Sequence, residues 1–123
     1  MKKILLIDDE KGFTTMLRLN LESTGRYDVF TVNDPSTAVK EAAVIQPDII
    51  FLDIIMPDME GPDVAIQIKN HPFLKDVPIV FLTATVTLDD VSLEGGRIAG
   101  HEFLPKPAPV NDIIASVERL VES

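Results

Sequence analysis

Three continuous apolar blocks, Ile4-Leu5-Leu6-Ile7, Ile49-Ile50-Phe51-Leu52 and Ile79-Val80-Phe81-Leu82, restrict what this chain can fold into. None alternates with polar residues, so each reads as a strand covered on both faces, the signature of a parallel sheet. Val29 to Val32 is less regular and reads as a strand toward an edge. Phe103-Leu104 supplies a fifth.

Segments of helical period lie between the blocks. Phe13, Met16, Leu17 and Leu21 fall on one predicted face, which makes Met16 a core residue. Asp34-Pro35 offers an N-cap followed by a first-turn proline, opening a helix through Ala38, Ala42 and Ile45. Pro62 opens a third, with Val64, Ala65 and Ile68 inward. The last carries Ile113, Ile114, Val117, Leu120 and Val121 on one stripe. The fourth, within Thr87 to Gly100, is weak, because adjacent Gly95 and Gly96 each lower helix propensity by about 1 kcal/mol relative to alanine. Five βα units with right-handed crossovers predict a doubly wound α/β three-layer sandwich. One domain is expected over residues 1–123, without linker or repeat.

Several function classes are disfavoured at once. A net charge of −9 argues against non-specific nucleic-acid binding. The chain has no cysteine, which removes disulfides and thiolate metal sites. His71 and His101 fall in no ligand cluster and read as surface or loop residues. "MKKILLIDDE" begins like a signal peptide, but its apolar run ends in three acids after Ile7. No stretch approaches the roughly 20 apolar residues of a membrane span. A cytoplasmic protein is expected.

Ligands of open parallel sheets bind beyond the carboxyl ends of the strands. Those ends carry Asp8-Asp9, Asp53 and Thr83, with Lys106 after the fifth strand. Carboxylates held close repel one another unless one is protonated or a cation lies between them. Mg²⁺ takes such oxygen ligands, leaving Lys106 and Thr83 to hold an anion. That set suits phosphoryl transfer. Asp53, an acid within "DIIFLDIIMPDMEG", is the expected acceptor. Glu10 and Asp58 read as solvated neighbours, and Met56 and Met59 as local packing around the acceptor loop.

From "ILLIDDE" through "DIIFLDIIMPDMEG" and "PIVFLTA" to "FLPKP", the chain resembles the receiver domains of bacterial two-component response regulators. The resemblance implies a flavodoxin-like five-stranded parallel sheet of order 2-1-3-4-5. It implies that Asp53 accepts a phosphoryl group from a sensor histidine kinase or a histidine phosphotransfer protein. Asp9, Asp53 and the Ile55 backbone carbonyl would bind Mg²⁺ (or Mn²⁺) directly, and Asp8 through water. Lys106 would pair with the phosphoryl oxygens, Thr83 would move toward them, and Phe103 would swing inward. The Lys106-Pro107 bond would be cis. Output would be a change in protein contacts at the face of the fourth helix, fifth strand and fifth helix. The domain would be a monomer or a weak phosphorylation-dependent dimer, catalysing only its own phosphorylation and dephosphorylation.

Departures from the family pattern modify these expectations. Phe103 replaces a frequent tyrosine, so its two positions would differ only in packing. Ala99-Gly100-His101-Glu102, Ala108 and the Gly95-Gly96 pair make the output face unlike that of receivers forming a well-known transcription-factor dimer. Ile55 and Thr85 occupy positions that tune self-dephosphorylation. An apolar Ile55 cannot orient water, which predicts a slow rate. Two competing functions share this chemistry or topology. A Mg²⁺-dependent phosphatase with an aspartyl-phosphate intermediate would place Asp-x-Asp on the first strand, where this chain has Asp8-Asp9. A flavin carrier would need a hydroxyl- and glycine-rich loop where "DDEKGF" stands. The receiver would act alone or as part of a longer regulator or hybrid kinase.

Overall fold

In a computed structural model of the protein, the three apolar blocks form adjacent central strands; residues 1–56, 59–84, 97–98 and 101–122 are described. The strands are β1 (Lys2–Ile7), β2 (Tyr27–Val32), β3 (Ile49–Asp53), β4 (Ile79–Thr83), β5 (Arg97–Ile98) and β6 (His101–Pro105). Their order is β2-β1-β3-β4-β6-β5. The first five strands in that order are mutually parallel, which is the expected 2-1-3-4-5 arrangement. The irregular second strand does lie at an edge. The sheet is not purely parallel, however. Where a fourth helix was expected, Arg97–Ile98 instead pair antiparallel with His101 and Glu102. The remainder of that expected helix lies outside the described residues. Adjacent glycines weaken a helix there, and Ile98 is β-branched, which suits a strand.

Helices α1 (Lys11–Glu22), α2 (Ala38–Ile45), α3 (Gly61–Lys69) and α4 (Val110–Val117) complete the layers. Asp34 caps as expected: its side chain accepts from the Ser36 amide at 3.0 Å, and Pro35 begins a 3₁₀ turn that leads into α2. After α4 the chain widens into a π-helical turn, Glu118–Glu122. Arg26 reaches Glu118 at 3.5 Å and Glu122 at 3.1 Å from the start of β2. These are exposed pairs, each worth about 1 kcal/mol or less.

Alternate residues of the same strands feed two separate cores. Leu5, Ile7, Ile50, Leu52, Ile79 and Phe81 pack with α2 and α3. Ile4, Leu6, Ile49, Phe51, Val80 and Leu82 pack with α1 and α4. Every one of these twelve side chains is essentially buried. Burial of each contributes roughly 1.5–3 kcal/mol, so the sheet is a rigid platform for whatever its strand ends carry.

Two assignments of single residues need correction. Met16 is not core: it is 54% exposed, and the buried stripe of α1 runs through Thr14, Leu17 and Leu21. At 100° per residue Met16 lies about 130° around the helix from the centre of that stripe. His101 is not a loop residue, since it begins β6 and sets its ring edge-on to Phe81, with centroids 5.5 Å apart. His71 does lie in the turn after α3, where Nδ1 accepts from the Phe73 amide at 3.2 Å. Among the described residues, no helix is long and apolar enough to cross a membrane.

Candidate functional site

Parallel strands end together, so β1, β3, β4 and β6 deliver Asp8, Asp53, Thr83 and Lys106 to one rim of the sheet. Asp8, Asp53 and Thr83 are all buried. The Thr83 carbonyl accepts from the Lys106 amide at 2.8 Å, tying the lysine backbone to the end of β4. The Lys106-Pro107 bond is cis. The Lys106 side chain is only 8% exposed, and its Nζ lies 2.8 Å from Asp8 Oδ2 and 3.6 Å from Asp53 Oδ2. It also contacts Glu10 Oε1, and the Phe13 ring lies against it with its centroid 4.9 Å away.

Charge is concentrated here at the expense of solvation. Burial, with the negative charge of Asp8 beside it, pushes the Asp53 carboxyl up to about 6 against the pull of Lys106. Burial also raises Asp8, opposed by Lys106 and by the Glu10 amide. For Lys106 burial disfavours the charge, but pairing with Asp8, Glu10 and Asp53 outweighs it and holds the ammonium above the ordinary lysine range. Among the described residues, one ammonium answers three carboxylates. The cluster therefore carries excess negative charge that a cation would relieve.

The oxygen donors suit such a cation. One carboxylate oxygen each from Asp8, Glu10 and Asp53 lies within 4.8 Å of the others. Three hard oxygen donors can hold a metal ion of the Mg²⁺ or Ca²⁺ type. Glu10 was expected to be merely solvated; it is both a member of this group and a partner of Lys106. Asp9, expected as a direct ligand, is partly exposed and outside the group, although its charge contributes to raising Asp53.

A cavity of about 210 Å³ opens beside the acceptor, lined by Glu10, Asp53, Ile55, Thr83, Ala84 and Lys106. Ile55 is 58% exposed at its mouth, and its amide points to Asp53 Oδ1 at 3.4 Å. Met56 is buried beneath the acceptor loop and Met59 packs against the same core, as does Phe103. Asp58 and Thr85 lie outside the described residues.

Sequence reasoning missed the residues that hold the acidic turn in place. Asn33, just past β2, donates to the Asp8 carbonyl at 2.8 Å and to Thr14 Oγ1 at 3.0 Å. The Glu10 amide donates to Asp8 Oδ1 at 2.9 Å. Gly61 is a second omission: its amide donates to the Ile54 carbonyl at 2.7 Å, closing the loop after Asp53. "Asn-Asp-Pro" reads locally as a turn and helix cap, and nothing in it points 25 residues back to Asp8.

A sequence profile described as the response regulator receiver domain matches residues 4–118. The chain belongs to that family. Receiver domains are signalling domains rather than typical enzymes. This receiver is 35% identical over 120 residues to the alkaline phosphatase synthesis transcriptional regulatory protein PhoP of Bacillus subtilis. It is 31% identical over 121 residues to the DNA-binding dual master transcriptional regulator RpaA of Synechocystis. Each alignment takes in 98% of this chain but 48% and 49% of the relative, so the chain spans about half the length of these regulators. Among solved structures, the chemotaxis protein CheY4 of Vibrio cholerae superposes with a TM-score of 0.83 at 27% identity, covering 98% of both chains. The signal receiver domain of a signal transduction histidine kinase from Syntrophus aciditrophicus gives 0.81 at 30% identity, covering 99% of this chain and 91% of that one.

Proposed function

We propose that residues 1–123 form one phosphorylation-activated signalling switch, in which Asp53 accepts a phosphoryl group from a phosphohistidine on a sensor kinase or phosphotransfer protein. The observation that carries this reading is the Asp53 carboxylate, buried at the end of β3 yet lining a cavity with Lys106 at 3.6 Å. A buried acid facing a buried ammonium across open space is arranged to receive an anion between them. In the transfer, a carboxylate oxygen of Asp53 attacks phosphorus as the phosphorus–nitrogen bond to the donor imidazole breaks. The imidazole leaves with that bonding pair.

Asp53, with Asp9 and the Ile55 carbonyl, would hold a divalent cation, Mg²⁺ or Mn²⁺, and Asp8 would act through water, the ligand set that the family resemblance implies; the Glu10 carboxylate, close to Asp8 and Asp53, is engaged by Lys106 instead. When bound, that cation supplies charge neutralisation for the phosphoryl oxygens. Lys106 takes the opposite side of the phosphoryl group, and Thr83 Oγ1 turns to donate to it. Phosphorylation adds about −1.5 to −2 charge, enough to shift a two-state equilibrium by a few kcal/mol. Phe103 shares the core face of Phe81 and lies directly across from it in the β4–β6 register, so a displacement of Thr83 reaches it through β4. The changed contacts fall on β6 and α4 together with the segment before them. Arg119 meets Glu102 there. The partners would be cytoplasmic proteins; the net charge of −9 disfavours direct contact of this chain with nucleic acid.

Incubation with Mg²⁺ and acetyl phosphate, followed by intact mass, tests the reading. Wild type gains one phosphoryl group and Asp53→Asn gains none. A gain that survives in Asp53→Asn would refute Asp53 as acceptor.

A further inference from the structure

Glu10 immediately precedes α1 in extended conformation, the N-cap position that short side chains such as Asp or Ser ordinarily fill and bond. It makes no side-chain cap hydrogen bond. Its carboxylate turns instead across the site onto Lys106. The backbone beneath it is fixed, with its amide on Asp8 Oδ1 at 2.9 Å and its carbonyl accepting from the Thr14 amide at 3.1 Å. Its side chain is 62% exposed, whereas those of Asp8 and Asp53 are 0% and 7% exposed.

Of the three carboxylates on Lys106, two are therefore locked at strand ends and one can leave without disturbing the fold. Glu10 also lines the cavity that Asp53, Thr83 and Lys106 share. A phosphoryl group on Asp53 would need that space and that ammonium. Two anions cannot both have them, since like charges a few ångströms apart repel.

Resting on the reading of Asp53 as acceptor, we infer that Glu10 is a positioning residue: its carboxylate holds Lys106 in the unphosphorylated state and is displaced by the incoming phosphoryl group. No bond to Glu10 forms or breaks. The ammonium keeps its protons and exchanges one anionic partner for another. Glu10 thereby raises the concentration of phosphodonor needed, without taking part in the transfer itself.

The test is the donor dependence of Asp53 phosphorylation by acetyl phosphate, with Mg²⁺ held well above each variant's measured affinity. Glu10→Gln lowers the KM for acetyl phosphate roughly fivefold, the effect expected of one partly solvated charge. Glu10→Asp keeps the charge on a side chain one methylene shorter, so its KM falls between those of wild type and Glu10→Gln. An unchanged KM in Glu10→Gln, or a Glu10→Asp indistinguishable from wild type, would overturn the exchange. The Lys106 ammonium resonance in metal-free protein gives a readout independent of transfer, and it shifts in Glu10→Gln. If it does not shift while Asp53 is phosphorylated normally, Glu10 does not hold the lysine. If it shifts but no variant gains mass, the acceptor assignment fails and the exchange fails with it.

Discussion

A Cβ placed on Gly61 would lie 2.2 Å from the Asp53 carbonyl oxygen and 2.8 Å from Ile54 Cα. Both are backbone atoms and cannot rotate away. The first turn of α3 is thus pressed against the end of β3, and the peptide behind the acceptor has no room to shift. Gly61→Ala should destabilise the protein by about 2–4 kcal/mol, as overpacking against backbone does. Chemical denaturation measures it. Because the clash is with the acceptor's own peptide, phosphorylation by acetyl phosphate should fall even where the variant remains folded.

The raised Asp53 carboxyl makes stability depend on pH in a definite direction. Its ordinary value of 3.8 rises to about 6 on folding, so the folded state prefers the neutral acid. That preference is fully present below about 3.8 and is lost as pH rises through about 6. In chelator-treated protein, Asp53→Asn should therefore match wild type near pH 4 and exceed it above pH 6. The excess should be on the order of 2 kcal/mol. Paired urea titrations across that range check both sign and midpoint.

Lys106 is the counter-ion of two buried acids. Lys106→Met removes the only cation among the described residues placed against Asp8 and Asp53, and breaking such a pair costs about 3–5 kcal/mol. Thermal melts without divalent ions should show a large loss. Addition of Mg²⁺ should recover part of it, because the metal neutralises the same oxygens.

Metal binding should stabilise the folded chain. At one hundred times its dissociation constant, Mg²⁺ should add about 2.7 kcal/mol in wild type. In Asp8→Asn the increment should fall sharply, since a buried donor of the three-carboxylate group is lost. A thermal-shift titration with Mg²⁺ reads this directly, and an undiminished shift would move the metal elsewhere.

Asn33 links β2 to the acidic turn through two hydrogen bonds. Asn33→Ala should cost about 1–2 kcal/mol for the unsatisfied Asp8 carbonyl and Thr14 hydroxyl. Mg²⁺ affinity should fall as well, because the turn that sets Asp8 and Glu10 loses its outer support. Equilibrium dialysis at matched folded fraction separates that loss from simple destabilisation.

The sheet was readable because its strands are buried on both faces, leaving the uninterrupted runs at Ile4–Ile7, Ile49–Leu52 and Ile79–Leu82. Asp8, Asp53 and Thr83 were readable for the same reason, since a polar residue directly after such a run lies at a strand end. What escaped has no apolar period to betray it. Thr14 is buried at 1%, yet it is polar, and Met16 took its place on the expected face. The contact of Glu10 with Lys106 spans 96 residues of sequence, and no local pattern encodes a pairing of that range. Asp9 and Glu10 are chemically alike. Only the backbone turn, fixed by the Glu10 amide on Asp8 and by Asn33, determines which of them faces the cluster.

The division of each strand between two cores has a consequence for how this chain can change length. Asp8 and Asp53 have the parity of residues that face α1 and α4, while Thr83 and Phe103 have the parity of those that face α2 and α3. Deleting one residue inside β3 would not shorten the strand so much as invert it. Every downstream side chain would change sides, and Asp53 would turn its back on Asp8. Single-residue insertions and deletions are thus confined to the connections. Within the strands the chain tolerates length change only in pairs.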